Sequence, residues 1–216
     1  MKAAGLTYRI REPEGEPRGA LVLMHGRGAN ELDLEPLLSV LDPEASLVGI
    51  LPRGPLTLPP GGAHWYVVRQ VGYPDPDTFF PTFERTSTWL DALLEELEVP
   101  PGRTVLGGFS QGAVMSYVLG LAASRPKPAA ILAMSGFVPR VDGLELDLAS
   151  RAGLPVSISH GTNDPVIEIQ WGRDARDRLT EAGLDVRYRE DPVGHTITPQ
   201  AIAQAREVLE AALQPA

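Results

Sequence analysis

Short runs of apolar residues, each bounded by Gly or Pro, recur along the chain at Ala20 to Met24, Ser46 to Leu51, Thr104 to Phe109, Ala129 to Met134 and Pro155 to Ser159. Runs of this length and purity predict strands buried on both faces. Leu6 to Ile10 and Asp185 to Arg189 alternate apolar with polar positions, as half-exposed or edge strands do. Between and after these lie helical patterns at Leu32 to Leu41, Phe83 to Glu98, Gln111 to Ala123, Glu168 to Ala182 and Pro199 to Leu213. Gly183 stands where a helix stop is expected after the fourth. Strands alternating with helices predict an α/β fold: a mostly parallel sheet of about seven strands covered on both faces, with right-handed crossovers. No repeat, linker or internal boundary interrupts the pattern, so residues 1 to 216 read as one domain.

Composition narrows the function. With 216 residues and 43% hydrophobic content the chain can bury a sizeable core, and the 22 Gly and 21 Pro punctuate apolar segments instead of forming tracts. The formal charge of -9, with no basic run, argues against nucleic-acid or anionic-membrane partners. The absence of cysteine excludes disulfides, thiolate metal sites and cysteine nucleophiles. Met1 to Glu16 carries an early Lys without an apolar stretch behind it, which predicts no signal peptide or anchor and a cytoplasmic address. The longest nearly apolar run, Gly112 to Ala123, is short of the roughly 18 residues that span a bilayer, so no membrane span is expected.

The densest chemical signal is Gly108-Phe109-Ser110-Gln111-Gly112, at the junction of a predicted strand with a predicted buried helix. This is the G-x-S-x-G pattern of a nucleophile on a sharp strand-to-helix turn, where glycines two residues away on either side relieve Cβ crowding. A serine hydroxyl needs a base to take its proton and an acid to orient that base. In a parallel sheet the carboxyl ends of the strands share one edge, so loops leaving those ends can converge. Asp164, in His160-Gly161-Thr162-Asn163-Asp164-Pro165, and His195, in Gly194-His195-Thr196, lie just beyond two such ends, with Asp191 as the reserve acid. Of the other histidines, His25 and His160 read as loop braces and His64 as an ordinary loop residue. The chain order Ser110, Asp164, His195 is the order of α/β-hydrolases.

Attack on a carbonyl also needs N–H donors for the developing oxyanion. Gln111, first residue of the helix after Ser110, supplies one backbone N–H, and the glycine-flanked Arg27 in His25-Gly26-Arg27-Gly28 is the choice for the other. Rival chemistries lack their residues. Glu31 stands where a dinucleotide fingerprint begun by Gly26 and Gly28 needs its third Gly, and there is no Gly-Lys-Ser/Thr phosphate loop. No paired-histidine zinc motif exists, and Glu31, Asp33 and Glu35 read as a solvated helix start. No metal and no cofactor is expected.

Taken together, His25-Gly26-Arg27-Gly28-Ala29-Asn30-Glu31-x-Asp33, Leu51-Pro52-Arg53-Gly54-Pro55, the Ser110 motif, His160 to Val166, and Gly194-His195-Thr196-Ile197 resemble the phospholipase/carboxylesterase family, in unbroken order from about Ala20 to the end. That family includes bacterial carboxylesterases and acyl-protein thioesterases. The resemblance implies an α/β-hydrolase fold without a separate cap, Ser110 as nucleophile, His195 as base, Asp164 as orienting acid, and the Arg27 and Gln111 N–H groups as oxyanion hole. It implies hydrolysis of carboxylic esters of short to medium acyl chains through an acyl-enzyme, with acyl thioesterase or lysophospholipase-type activity as the nearest alternative. A ligand-binding protein on a hydrolase scaffold is the non-enzymatic one. Arg27 stands where acyl-protein thioesterases commonly have Leu, and its cationic side chain either narrows the site or attracts an acidic substrate. The stretch Arg53 to Thr82, rich in aromatics and Pro, predicts either an acyl-pocket wall using Leu56, Trp65 and Phe79, with Val166 opposite, or a loop packed onto the body or into a homodimer contact.

Overall fold

The computed structural model describes residues 5–214. In chain order the elements are β1 (Tyr8–Arg11), β2 (Ala20–Met24), α1 (Glu35–Leu41), β3 (Val48–Pro52), β4 (Leu56–Leu58), β5 (Gly62–His64), β6 (Val68–Gln70), β7 (Tyr73–Pro74), α2 (Pro76–Glu96), β8 (Thr104–Phe109), α3 (Gln111–Leu121), β9 (Ala130–Met134), β10 (Pro155–Gly161), α4 (Ile169–Glu181), β11 (Asp185–Asp191) and α5 (Pro199–Ala212). Seven strands form one sheet in the order β1-β3-β2-β8-β9-β10-β11. Only the β1–β3 pairing is antiparallel. The predicted α/β-hydrolase fold is therefore the observed one.

Alternation along the central strands divides the core. Ala20, Val22 and Met24 of β2 join a cluster with Leu90 and Leu93 of α2 and Val114 and Val118 of α3. Leu21 and Leu23 point the other way, to Leu37 and Leu38 of α1 and Val208 and Leu209 of α5. A third cluster packs Ile131 and Ala133 of β9 and Val156 and Ile158 of β10 against Tyr117 of α3 and Ala175 and Leu179 of α4. Every residue of α3 is buried, which explains the apolar run that follows Ser110. No helix among the described residues is long and apolar enough to cross a membrane.

Arg53 to Thr82, to which the sequence pattern assigns no strand or helix, carries several short ones. It folds into two small antiparallel hairpins, β4–β5 and β6–β7, and the opening turns of α2. That helix starts seven residues before Phe83 because Asp75 caps it, accepting the Asp77 N–H at 3.1 Å, with Pro76 preset in the first turn. Pro81 lies inside the helix, at the point where a sequence pattern breaks. Stacking of Phe79 on Phe83, centroids 6.4 Å apart, holds the two sides of that break together. In the same way α1 begins at Glu35 and not Leu32, since the Asn30 side chain takes the Leu32 N–H in a local turn.

Gly183 closes α4 as expected. Its φ is +84°, its N–H reaches the Thr180 carbonyl at 2.9 Å, and the Leu184 N–H reaches that of Leu179 at 3.1 Å. These are the two bonds of a Schellman stop. Gly183→Ala places a Cβ in the left-handed region and is expected to lower stability by about 1 kcal/mol in urea denaturation. Because the turn lies away from the Ser110 site, the spectrum of the folded state stays unchanged.

Candidate active site

Four loops at the carboxyl edge of the sheet build the site. Ser110 follows β8 directly and holds φ +55° and ψ -118°, a strained conformation for a residue with a Cβ. Its N–H is tied to the Met134 carbonyl of β9 at 2.9 Å, and its carbonyl accepts the Val114 N–H of α3 at 3.2 Å. The flanking glycines are dictated by sterics. A Cβ on Gly108 would lie 2.4 Å from the Gly112 carbonyl carbon, and one on Gly112 would lie 1.8 Å from the Met24 carbonyl oxygen.

Beyond β10, the buried Asp164 carboxylate is fully engaged. One oxygen accepts the Val166 and Ile167 N–H groups at 2.8 and 2.9 Å, and the other meets His195 Nδ1 at 2.6 Å. Burial works against its charge, but the His195 hydrogen bond and the two backbone donors outweigh it and hold the carboxyl below its ordinary range. The His195 ring, carried beyond β11, lies against Phe109, centroids 4.7 Å apart, beside Ser110. Among the described residues no hydrogen bond joins the Ser110 hydroxyl to His195. Asp191, the reserve acid, turns elsewhere: it pairs with Arg189 and accepts the Thr198 hydroxyl at 2.6 Å.

The loop after β2 reaches the same place, since a Cβ built on Gly26 would stand 3.5 Å from the Ser110 Cβ. Among the described residues neither the Arg27 N–H nor the Gln111 N–H has a protein acceptor. Buried histidines brace the surroundings. His25 Nδ1–H donates to the Gly26 carbonyl at 2.7 Å, leaving Nε2 to accept the Gly54 N–H at 3.0 Å. His160 Nε2–H donates to the Ile167 carbonyl at 2.8 Å, beneath Asp164. Burial lowers the pKa of both, so each stays neutral and keeps the tautomer its bonds require. Among the described residues the His64 ring bonds only the Tyr66 carbonyl.

A cavity of about 390 Å³ opens on Ser110, walled by Arg27, Tyr66, Val68, Val71, Gln111, Phe137, Val166 and Ile167. Val166 is among these walls, whereas Leu56, Trp65 and Phe79 are not. Trp65 and Phe79 are wholly buried in this chain's own core, which also removes them from any dimer contact. Trp65 instead braces the β2 loop: its indole N–H donates to the His25 carbonyl at 2.9 Å. Its backbone N–H donates to the Gln111 side chain at 3.1 Å, and that side chain donates in turn to the Tyr66 carbonyl at 2.9 Å. These braces had no sequence signal beyond an unexplained Trp and an amide following the serine. A larger cavity of about 480 Å³, by Leu94, Pro100, Pro101 and Arg125, lies near the amino-terminal end of β8, away from these groups. Among the described residues no cluster of acidic or histidine side chains is arranged to hold a metal ion.

The family model described as Phospholipase/Carboxylesterase matches residues 7–213. Acyl-protein thioesterase 1 of Debaryomyces hansenii is 26% identical over 180 residues, covering 80% of this chain and 75% of that protein. The putative hydrolase MhqD of Bacillus subtilis is 28% identical over 194 residues, covering 90% and 94%. Among solved structures, the Bacillus cereus carboxylesterase superposes with a TM-score of 0.82 at 26% identity, covering 97% of this chain and 95% of its own.

The depressed Asp164 carboxyl makes stability depend on pH. Its ionised form contributes fully above the ordinary carboxylate value of about 3.9, and the contribution is lost as pH falls through the lower folded value. The stability gap between the native chain and Asp164→Asn is therefore expected to be widest near neutrality and to close on acidification. A gap in urea denaturation that is constant from pH 7 to pH 3 would show that charge plays no part.

Proposed function

The chain belongs to the phospholipase/carboxylesterase family of α/β-hydrolases, and on that premise we propose that it is a serine carboxylesterase working through Ser110, His195 and Asp164. The observation that carries this reading is the buried Asp164–His195 hydrogen bond at 2.6 Å, set beside a serine in a strained strand-to-helix turn. Asp164 holds His195 with Nδ1 protonated, so Nε2 is the lone-pair nitrogen. As substrate enters, Nε2 takes the Ser110 proton while Oγ bonds the acyl carbon, and the carbonyl electron pair moves onto oxygen. The free N–H groups of Arg27 and Gln111 receive that oxyanion, aided by the positive end of α3. Collapse breaks the bond to the alkoxy oxygen, which leaves as alcohol with the proton from His195. Water then repeats the sequence on the acyl-enzyme, losing its proton to His195 and releasing the carboxylic acid and free Ser110.

The cavity of about 390 Å³ lies at the small end of ligand sites, which run from about 300 to 1,000 Å³. Its largely apolar walls suit short to medium acyl chains. Thioesters follow the same route with a thiolate leaving group, and the likeness to an acyl-protein thioesterase favours that as the second reading.

Hydrolysis of p-nitrophenyl esters from acetate to palmitate tests the proposal. Ser110→Ala is expected to lose up to about 10⁶-fold in kcat, and Asp164→Asn about 10⁴-fold because it favours the wrong His195 tautomer. The optimum chain length falls below palmitate. Equal rates for Ser110→Ala and the native chain would remove Ser110 as nucleophile.

A further inference from the structure

Cations of this acidic chain are almost all engaged. Among the described residues every Lys and Arg except Arg9, Arg27 and Arg178 meets a carboxylate, a hydroxyl or a backbone carbonyl. Of those three only Arg27 borders the Ser110 cavity, where it is exposed and is the single charged residue in the wall. Its nearest acidic neighbour in the chain, Glu31, is held by Arg53 at 2.9 Å. The rest of the lining is apolar apart from Tyr66, Ser110 and Gln111, and Gln111 has its side chain turned to Trp65 and Tyr66.

Resting on the esterase reading, we propose that this enzyme acts on esters that carry an anionic oxygen group, with Arg27 binding that group while the apolar part lies against Val68, Val71, Phe137 and Val166. A guanidinium offers a carboxylate or phosphate two parallel N–H donors, and beside a cavity with low-dielectric walls the pairing is stronger than on open surface. A neutral ester gains nothing from it. With a formal charge of -9 the protein as a whole repels such substrates, so recognition has to be local. Arg27 then has two separable duties: its backbone serves the oxyanion and its side chain selects the substrate.

Two matched pairs distinguish where the anion resides. In the first it is on the acyl chain: p-nitrophenyl hemiadipate against the corresponding carboxamide. In the second it is on the alcohol: hexanoyl-glycerol 3-phosphate against hexanoyl-glycerol. The native chain is expected to favour the anionic member of at least one pair by about tenfold in kcat/KM, mainly through KM. Arg27→Gln removes that ratio and Arg27→Lys keeps part of it. The same pairs titrated into the Ser110→Ala protein by calorimetry give an affinity ratio that needs no turnover. Absence of hydrolysis would thus sink the esterase reading, while the affinity ratio still decides the role of Arg27. No anionic preference in either pair, or a ratio that Arg27→Gln leaves unchanged, overturns the proposal.

Discussion

Close approach of the start of α3 to the end of β2 is the constraint on which the site depends. Gly112 lies so near the Met24 carbonyl that any side chain there would overlap it. Given that contact, β8 must turn sharply into α3, and Ser110 is forced into its left-handed backbone at the sheet edge. The contact also fixes the end of β2 relative to the serine, and hence where the Arg27 N–H stands. Arg27 on one loop and Ser110 and Gln111 on another, far apart in the chain, are registered by one missing methyl group.

Around that point the protein separates charge from support. His25 and His160 are buried and neutral, and they act through fixed tautomers, each donating from one nitrogen to a backbone carbonyl. Asp164 is the buried charge, stabilised by three donors, and it presents one oxygen to His195. A neutral brace adds no net charge beside Ser110, whereas a charged one would. The Trp65–Gln111–Tyr66 bonds extend the same principle, holding the β2 loop against α3 with neutral groups alone.

The sheet and its helices were legible because buried parallel strands leave apolar runs that Gly and Pro punctuate, and β2 and β8 fall on the residues so marked. Ser110, Asp164 and His195 could be singled out as candidates because each sits a few residues beyond a strand end. The pocket wall was not legible. Trp65 and Phe79 face inward and Tyr66, Val68 and Val71 border the cavity, and that outcome depends on how two short hairpins fold, which no periodicity over three-residue strands can express. Pro81 hid the start of α2 for a related reason: local propensity marks a break that tertiary packing of Phe79 and Phe83 overrides.

Among the described residues the outermost strand β11 pairs only with β10, leaving one side of its backbone without a partner strand. Its sequence, Asp185-Val186-Arg187-Tyr188-Arg189-Glu190-Asp191, is charged at five of seven positions, and Arg173 and Arg189 knit Glu190 and Asp191 into ion pairs beside it. A neighbouring chain that tried to add a strand there would have to strip water from those charges. The sheet that brings the loops around Ser110 together is thereby kept from growing sideways into an aggregate at this edge.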